Sequence, residues 1–324
     1  MEGRSFQGLD REMNKKNLMG IGGLLLGMAM VLHSSEVDFP KLAGSYLGQK
    51  PPGLTPEIFA PGVVSRDGIQ MKLTMTADGS EILYTERDPS TNAASFIIRR
   101  RAGDSWSEPL VLPYSREYMD IEPSLSPDGK KILFVSNRPA SGQGEPGKMP
   151  DIWMAEKTGD QWKNPVRLGP PVLTDEPADI EAHPAFLPDG GIYFMRQNGK
   201  NRRLFQVARR GDGFGEPIPL PLREDLLAGQ FSGPCFSPDG RILLMHSRRE
   251  GGFGNWDLYV AFKDESGGWG ELKNLGPAVN TDKQESSPTF SPDGQFIFFT
   301  RETDIYRVSA KAIEELRPKD ATKE

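Results

Sequence analysis

The sequence predicts an all-β protein, a β-propeller of five four-stranded blades, on three observations. The 324 residues include 36 Gly and 28 Pro, about a fifth of the chain, against roughly 12% in average usage, which is heavy punctuation for a helical protein. One tetrapeptide type recurs five times, as TADG, SPDG, LPDG, SPDG and SPDG, with its aspartates at Asp78, Asp128, Asp189, Asp239 and Asp293 and spacings of 50, 61, 50 and 54 residues. Periods of this size mark propellers, solenoids and arrays. Each copy also sits in one frame: proline lies five residues before the aspartate in four copies (Pro123, Pro184, Pro234, Pro288, with Leu73 in the first), and an apolar run follows the glycine.

An Asp-Gly turn between two apolar runs is a hairpin signal, because glycine supplies the positive φ of the turn. The runs after the turns are EILYT, KILFV, GIYFM, RILLM and FIFFT. Third runs follow a variable loop: SFIIR from Ser95, DIWMA from Asp151, LFQVA from Leu204, DLYVA from Asp257 and DIYRV from Asp304. Fourth runs begin at SWSEPLVL, QWKNPVRL, GFGEPIPL and GWGELKNL, whose aromatics Trp106, Trp162, Phe214 and Trp269 recur at one position suited to packing between blades. Four short strands per period make a propeller blade.

The last repeat runs from its third strand into KAIEELRPKD, a short helix or tail over 311–324, and its fourth strand is missing. PEIFAPGVVS, from Pro56 to Ser65, aligns with PVRLGPPVLT from Pro165 and with LKNLGPAVNT from Leu272. An N-terminal strand is therefore expected to complete the last blade and close the ring, which removes the open sheet edges. A sixth, divergent blade is the alternative.

Ahead of the ring, the 15 uncharged residues Leu18 to Leu32 follow Arg11, Lys15 and Lys16. That order is the pattern of an export signal. Residues 1–35 are read as a signal peptide for a periplasmic or exported protein, with a membrane anchor through Leu18 to Leu32 as the alternative, and 36–54 as a Pro-rich linker. Bulky apolar groups are plentiful, with 17 Phe, 7 Tyr and 5 Trp, so a packed core is expected behind the leader. The 45 acidic against 39 basic residues give a net charge of −6, which lacks the basic field of a nucleic-acid binder. A single cysteine, Cys235, and three histidines leave no zinc-spaced set.

The segment PSLSPDGKKILFVSNRP, followed by DIWMA, QWKNPVRLG and further SPDG copies, resembles the WD-like propeller repeat of the TolB type, found in many bacterial envelope proteins. The resemblance runs over residues 55–310 and implies a propeller that works in the cell envelope. No G-x-S-x-G elbow of a fused serine hydrolase occurs.

In such a ring the loops between second and third strands share one face with the entries into each blade, and the Asp-Gly turns occupy the other. Eight positions before the turn aspartates stand Gln70, Asp120, Glu181, Phe231 and Glu285. Asp120, Glu181 and Glu285 would gather at a channel mouth, where carboxylates suit a hard cation such as calcium or, with His183, acid and base chemistry; solvated loop charge and capping are the plainer alternative. An arginine ends each second strand: Arg87, Arg138, Arg196, Arg248 and Arg301. Three third strands begin with aspartate, so ion pairs Arg138–Asp151, Arg248–Asp257 and Arg301–Asp304 are expected to pin the loops. Arg87 and Arg196, lacking that aspartate, are expected with Asp120, Glu181 and Glu285 on the ligand-binding face. Phe253 and Trp256, in the glycine-rich loop EGGFGNW, join that face.

These features predict a monomeric, non-enzymatic binding or scaffold protein with no cofactor, engaging a protein or glycan of the envelope. The alternative is a glycan or peptide hydrolase or lyase using Asp120, Glu181, His183 and Glu285.

Overall fold

A computed structural model describes residues 44–318, apart from Asn92, Gln143, Lys148, Met149, Asp175, Pro177, Ala178, Ala228 and Gly229. The segment read as a signal peptide or anchor, the first part of the expected linker and the last six residues lie outside the described residues.

Five antiparallel sheets follow one another along the chain. Blade I is built on strands Ile69–Met75, Glu81–Arg87 and Ala94–Ala102, with Leu110–Val111 outermost. Blade II uses Asp120–Leu125, Lys131–Ser136, Asp151–Thr158 and Val166–Arg167. Blade III uses Asp179–Phe186, Ile192–Asn198, Asn201–Val207 and Ile218–Pro219, and blade IV uses Gln230–Phe236, Ile242–Arg248, Asp257–Phe262 and Lys273–Asn274. Blade V contributes Glu285–Phe290, Phe296–Arg301 and Asp304–Ser309, and its fourth strand is Glu57–Ile58 from the other end of the chain. Glu57 pairs with Arg307 and Ile58 with Tyr306, so the ring is closed by strand exchange and has five blades, not six.

The core lies between the blades. One buried cluster joins Leu83, Phe96 and Ile98 of blade I to Ile132, Phe134 and Trp153 of blade II, and equivalent clusters occupy the other junctions. Trp106, Trp162 and Trp269 are buried in these clusters and Phe214 packs against one, each toward the preceding blade. Full burial of such side chains contributes about 1.5–3 kcal/mol each.

Residues 44–54, expected as linker, belong to the body. Leu47 is fully buried, Tyr46 packs edge-on to Phe296 at 5.0 Å, and its hydroxyl donates to Asp293 on the Asp-Gly face. The expected terminal helix is a 3-10 helix, Ala310–Leu316, anchored by buried Ile313. No helix among the described residues is long and apolar enough to cross a membrane.

The Asp-Gly turns explain their own sequence. In blade II the Ser126 hydroxyl donates to Asp128 at 2.7 Å, while Asp128 accepts from the Lys130 backbone and Ser126 from the Lys131 backbone. Serine repeats this at Asp239 and Asp293, and threonine at Asp78. Hydrogen bonds from Ser80 and Thr76 hold the Asp78 carboxyl down to about 2.

Candidate functional site: the central channel

The predicted carboxylate column exists, but its members are consumed. Asp120, Glu181 and Glu285 are buried at or near the start of their innermost strands, Glu181 and Glu285 paired with Arg196 and Arg301 of the neighbouring strand and Asp120 facing Arg138 two residues past the end of its neighbour. Arg138 meets Asp120 at 2.7 Å, Arg196 meets Glu181 at 2.8 Å and Arg301 meets Glu285 at 2.8 Å. Each guanidinium also donates to a loop carbonyl, of Tyr114, Val172 or Val279, and lies over an aromatic ring, of Tyr118, Phe205 or Tyr306. Carboxylate, carbonyl and ring satisfy one arginine from three sides, so the motif latches the incoming loop to its blade. Burial pushes the Asp120 and Glu181 carboxyls up, opposed by Arg138 and Arg196.

Several expected partnerships are thereby corrected. Arg138 pairs with Asp120 rather than Asp151, which Arg167 engages at 2.7 Å. Arg301 pairs with Glu285 rather than Asp304, which accepts from Thr303. Asp257 accepts from the Phe253 and Gly254 backbone and from Asn274, while Arg248 lies 4.5 Å over the Trp256 ring. Arg196, expected without a partner, has Glu181, and Arg87, half-buried opposite Ile69 and Ala94, is not without a partner either. Phe253 is 47% exposed on its loop, and Trp256 is half-buried with the His246 ring edge-on at 4.9 Å. Neutralised by arginine, the three carboxylates do not form a calcium site or an acid-base pair. Among the described residues no cluster of His, Cys, Asp and Glu is arranged to hold a metal ion.

The channel itself is built two residues further down each innermost strand. All five strands bulge there, and the bulged residues Lys72, Glu122, His183, Gly233 and Ser287 all have φ between 49° and 57°. The non-glycine members hold a conformation costing of order 1–3 kcal/mol each, sustained by the surrounding ring. In blade IV the residue must be glycine: a Cβ on Gly233 would fall 2.6 Å from the His246 ring.

These residues form a polar layer across the blades. His183 Nδ1 lies 2.6 Å from Glu122 Oε1, its backbone N–H donates to Glu122 Oε2 at 2.9 Å, and its Nε2 lies 2.5 Å from Ser232 Oγ. His246 Nδ1 accepts from the Ser287 backbone, and Lys72 Nζ donates to the Pro288 carbonyl. Burial, then the neighbouring His183, Lys72, Arg202 and Arg248, drive His246 well below the usual imidazole value, so the ring is neutral. Burial opposes ionisation of Glu122, but His183 and Lys72 overcome it and hold the carboxyl below its ordinary value.

Below that layer the channel opens toward the Asp-Gly face as an apolar cup of about 320 Å³. Met75, Leu125, Phe186, Phe236 and Phe290, one from each blade, form its wall, and Pro127, Pro188, Pro238 and Pro292 its rim. Lys72 supplies the charge among its lining residues, beside Thr74, Ser124, Cys235 and Thr289. Burial pushes the Cys235 thiol up, so it stays protonated. Of the polar layer only His183 was singled out from the sequence, and the cup was not, although the residue before each of the four in-frame prolines, and before Leu73, marks the layer.

No family model and no curated protein matches the chain. Among solved structures it is similar to TolB from Acinetobacter baumannii, at 17% identity over 77% of this chain and 57% of that one with a TM-score of 0.45. A putative TolB from Agrobacterium tumefaciens gives 16% identity over 73% and 71%, with a TM-score of 0.46. A gluconolactonase from Xanthomonas campestris gives 10% identity over 82% and 97%, with a TM-score of 0.47. The chain is a five-bladed β-propeller by its own sheet topology.

Proposed function

We propose that the protein is an exported binding propeller that seats the apolar C-terminal end of a partner protein of the cell envelope in its Asp-Gly-face cup. The cup carries this reading: it is open, drawn from all five blades, and ends on an ammonium with no acidic residue in its lining. Its volume falls at the lower end of the roughly 300–1,000 Å³ range of ligand sites. Proline and phenylalanine dominate the wall, which favours an apolar peptide. Lys72 uses one donor on Pro288 and has others for a carboxylate. Export is supported by the charged-then-apolar order of the segment ending at Leu32.

The test is calorimetric titration with short peptides ending in Phe or Leu, as free acids and as C-terminal amides. Free acids are expected to bind, amidation or Lys72→Gln to weaken binding roughly tenfold or more, as for a lost charged hydrogen bond, and Phe236→Asp to abolish it. Equal affinity for acid and amide, or no binding of any peptide by the folded protein, refutes the reading.

A further inference from the structure

The polar layer above the cup holds an arrangement that binding does not require. Glu122, His183 and Ser232 come from three consecutive blades and meet as carboxylate, imidazole and hydroxyl in line, at 2.6 and 2.5 Å. This is the order of a nucleophile, its general base and the group that orients the base. Glu122 grips His183 twice, through one oxygen at the ring and the other at the backbone N–H, which fixes the ring relative to its strand. A carboxylate on Nδ1 sets the tautomer with Nδ1–H as donor and leaves Nε2 to accept the Ser232 hydroxyl. Glu122 and His183 stand at the bulge that all five innermost strands share, which brings their side chains together across neighbouring blades. All three residues are half-buried rather than sealed. Ser232 pairs across the sheet with His246, whose neutral ring stands edge-on to His183 at 6.5 Å.

We propose that Ser232 is an activated nucleophile and that the channel hydrolyses small carboxylic esters. Ser232 Oγ attacks the ester carbonyl carbon while its proton passes to His183 Nε2. The bond to the alcohol oxygen breaks, the departing alkoxide takes that proton, and an acyl-Ser232 ester remains. Water then attacks the acyl carbon and gives a proton to His183, which returns it to Ser232 Oγ as the carboxylic acid leaves. Water is the sole co-reactant. Glu122 is a positioning residue that keeps the imidazole turned toward Ser232. This activity goes beyond the binding reading and stands apart from it, because Phe236→Asp puts a charge into the apolar wall of the cup and replaces none of Glu122, His183 and Ser232.

The experiment treats the folded protein with a fluorophosphonate probe, maps the label by peptide mass, and measures p-nitrophenyl acetate hydrolysis from pH 5 to 9. Label at Ser232 is expected, and Ser232→Ala should abolish it and slow hydrolysis by roughly 100-fold or more, with its thermal midpoint and circular dichroism unchanged. Ser232→Cys, which keeps the shape, should be alkylated rapidly by iodoacetamide at that position. Glu122→Gln, which removes the carboxylate facing His183 beside Ser232, His246 and Lys72, should slow hydrolysis and displace the rising limb of the pH profile. Unlabelled folded protein, label at another residue, undiminished hydrolysis by Ser232→Ala, or an unmoved profile in Glu122→Gln overturns the proposal.

Discussion

Arg138 and Asp120 meet at 2.7 Å with side chains that are 4% and 0% exposed, so each is the counter-charge the other needs in order to be buried at all. Removing one member of such a pair strands a charge, whereas replacing both with apolar groups is often tolerated. Arg138→Met is therefore expected to lower unfolding stability by about 3–5 kcal/mol in urea denaturation. The double variant Arg138→Met, Asp120→Leu should recover most of that loss. A double variant as unstable as the single one would mean that the loop contacts of Arg138, rather than the charge, carry the effect.

His246 gives the ring a pH dependence. Its folded value lies well below the ordinary imidazole value of 6.5, so below about pH 6.5 the unfolded chain takes up a proton that the folded chain refuses. Stability is full above that pH and declines as pH falls, by up to about 1.4 kcal/mol per pH unit for this one group. Guanidinium denaturation between pH 7.5 and 5.5 should show this slope in wild type and a shallower one in His246→Phe. Equal slopes would remove His246 from the acid sensitivity.

Phe59 tests the closure. It is fully buried beside the exchanged strand and stands edge-on to Phe298 at 5.1 Å. Phe59→Ala is expected to lose about 3–5 kcal/mol, as for other large-to-small core changes. Hydrogen exchange should localise the added opening to Asp304–Ser309 and the residues pairing with it. An increase spread evenly over all blades would show that the closure is not a separable unit.

Cys235 reports on the cup. The thiol is buried and kept protonated, so native protein should react with a maleimide far more slowly than urea-unfolded protein. Saturating apolar peptide should slow the native reaction further. A native thiol as reactive as the unfolded one would place Cys235 outside the protected wall.

The sequence made the ring legible because the repeat is written in residues with defined local roles: glycine for the positive φ of each turn, serine or threonine two before the aspartate in four of the five copies, and Pro56 to Ser65 written in the pattern of the interblade corners. The arginine and carboxylate columns were also visible, but they were matched along the wrong edge. Hairpin register places the first residues of an innermost strand against the last residues of its neighbour, as Glu181 against Arg196 and Glu285 against Arg301. Asp151, the first residue of the third strand, was nearer to Arg138 in sequence than Asp120, but it is engaged by Arg167. The channel layer was harder to see, because Glu122, His183 and Ser232 lie 61 and 49 residues apart and each touches a different blade. Their proximity follows from ring geometry, which no single repeat contains.

Ring closure by Glu57–Ile58 has a consequence for the birth of the molecule. The segment that ends the ring is synthesised before the first blade, yet its partner strand Asp304–Ser309 comes some 250 residues later. Neighbouring blades can associate as they emerge, but Phe59 and Leu47 have no complete bed until residue 309 is free. A contact of such long range is slow to form. An incompletely made chain therefore carries an unlatched seam, and the finished protein acquires its last sheet edge and its intact channel in a single late event.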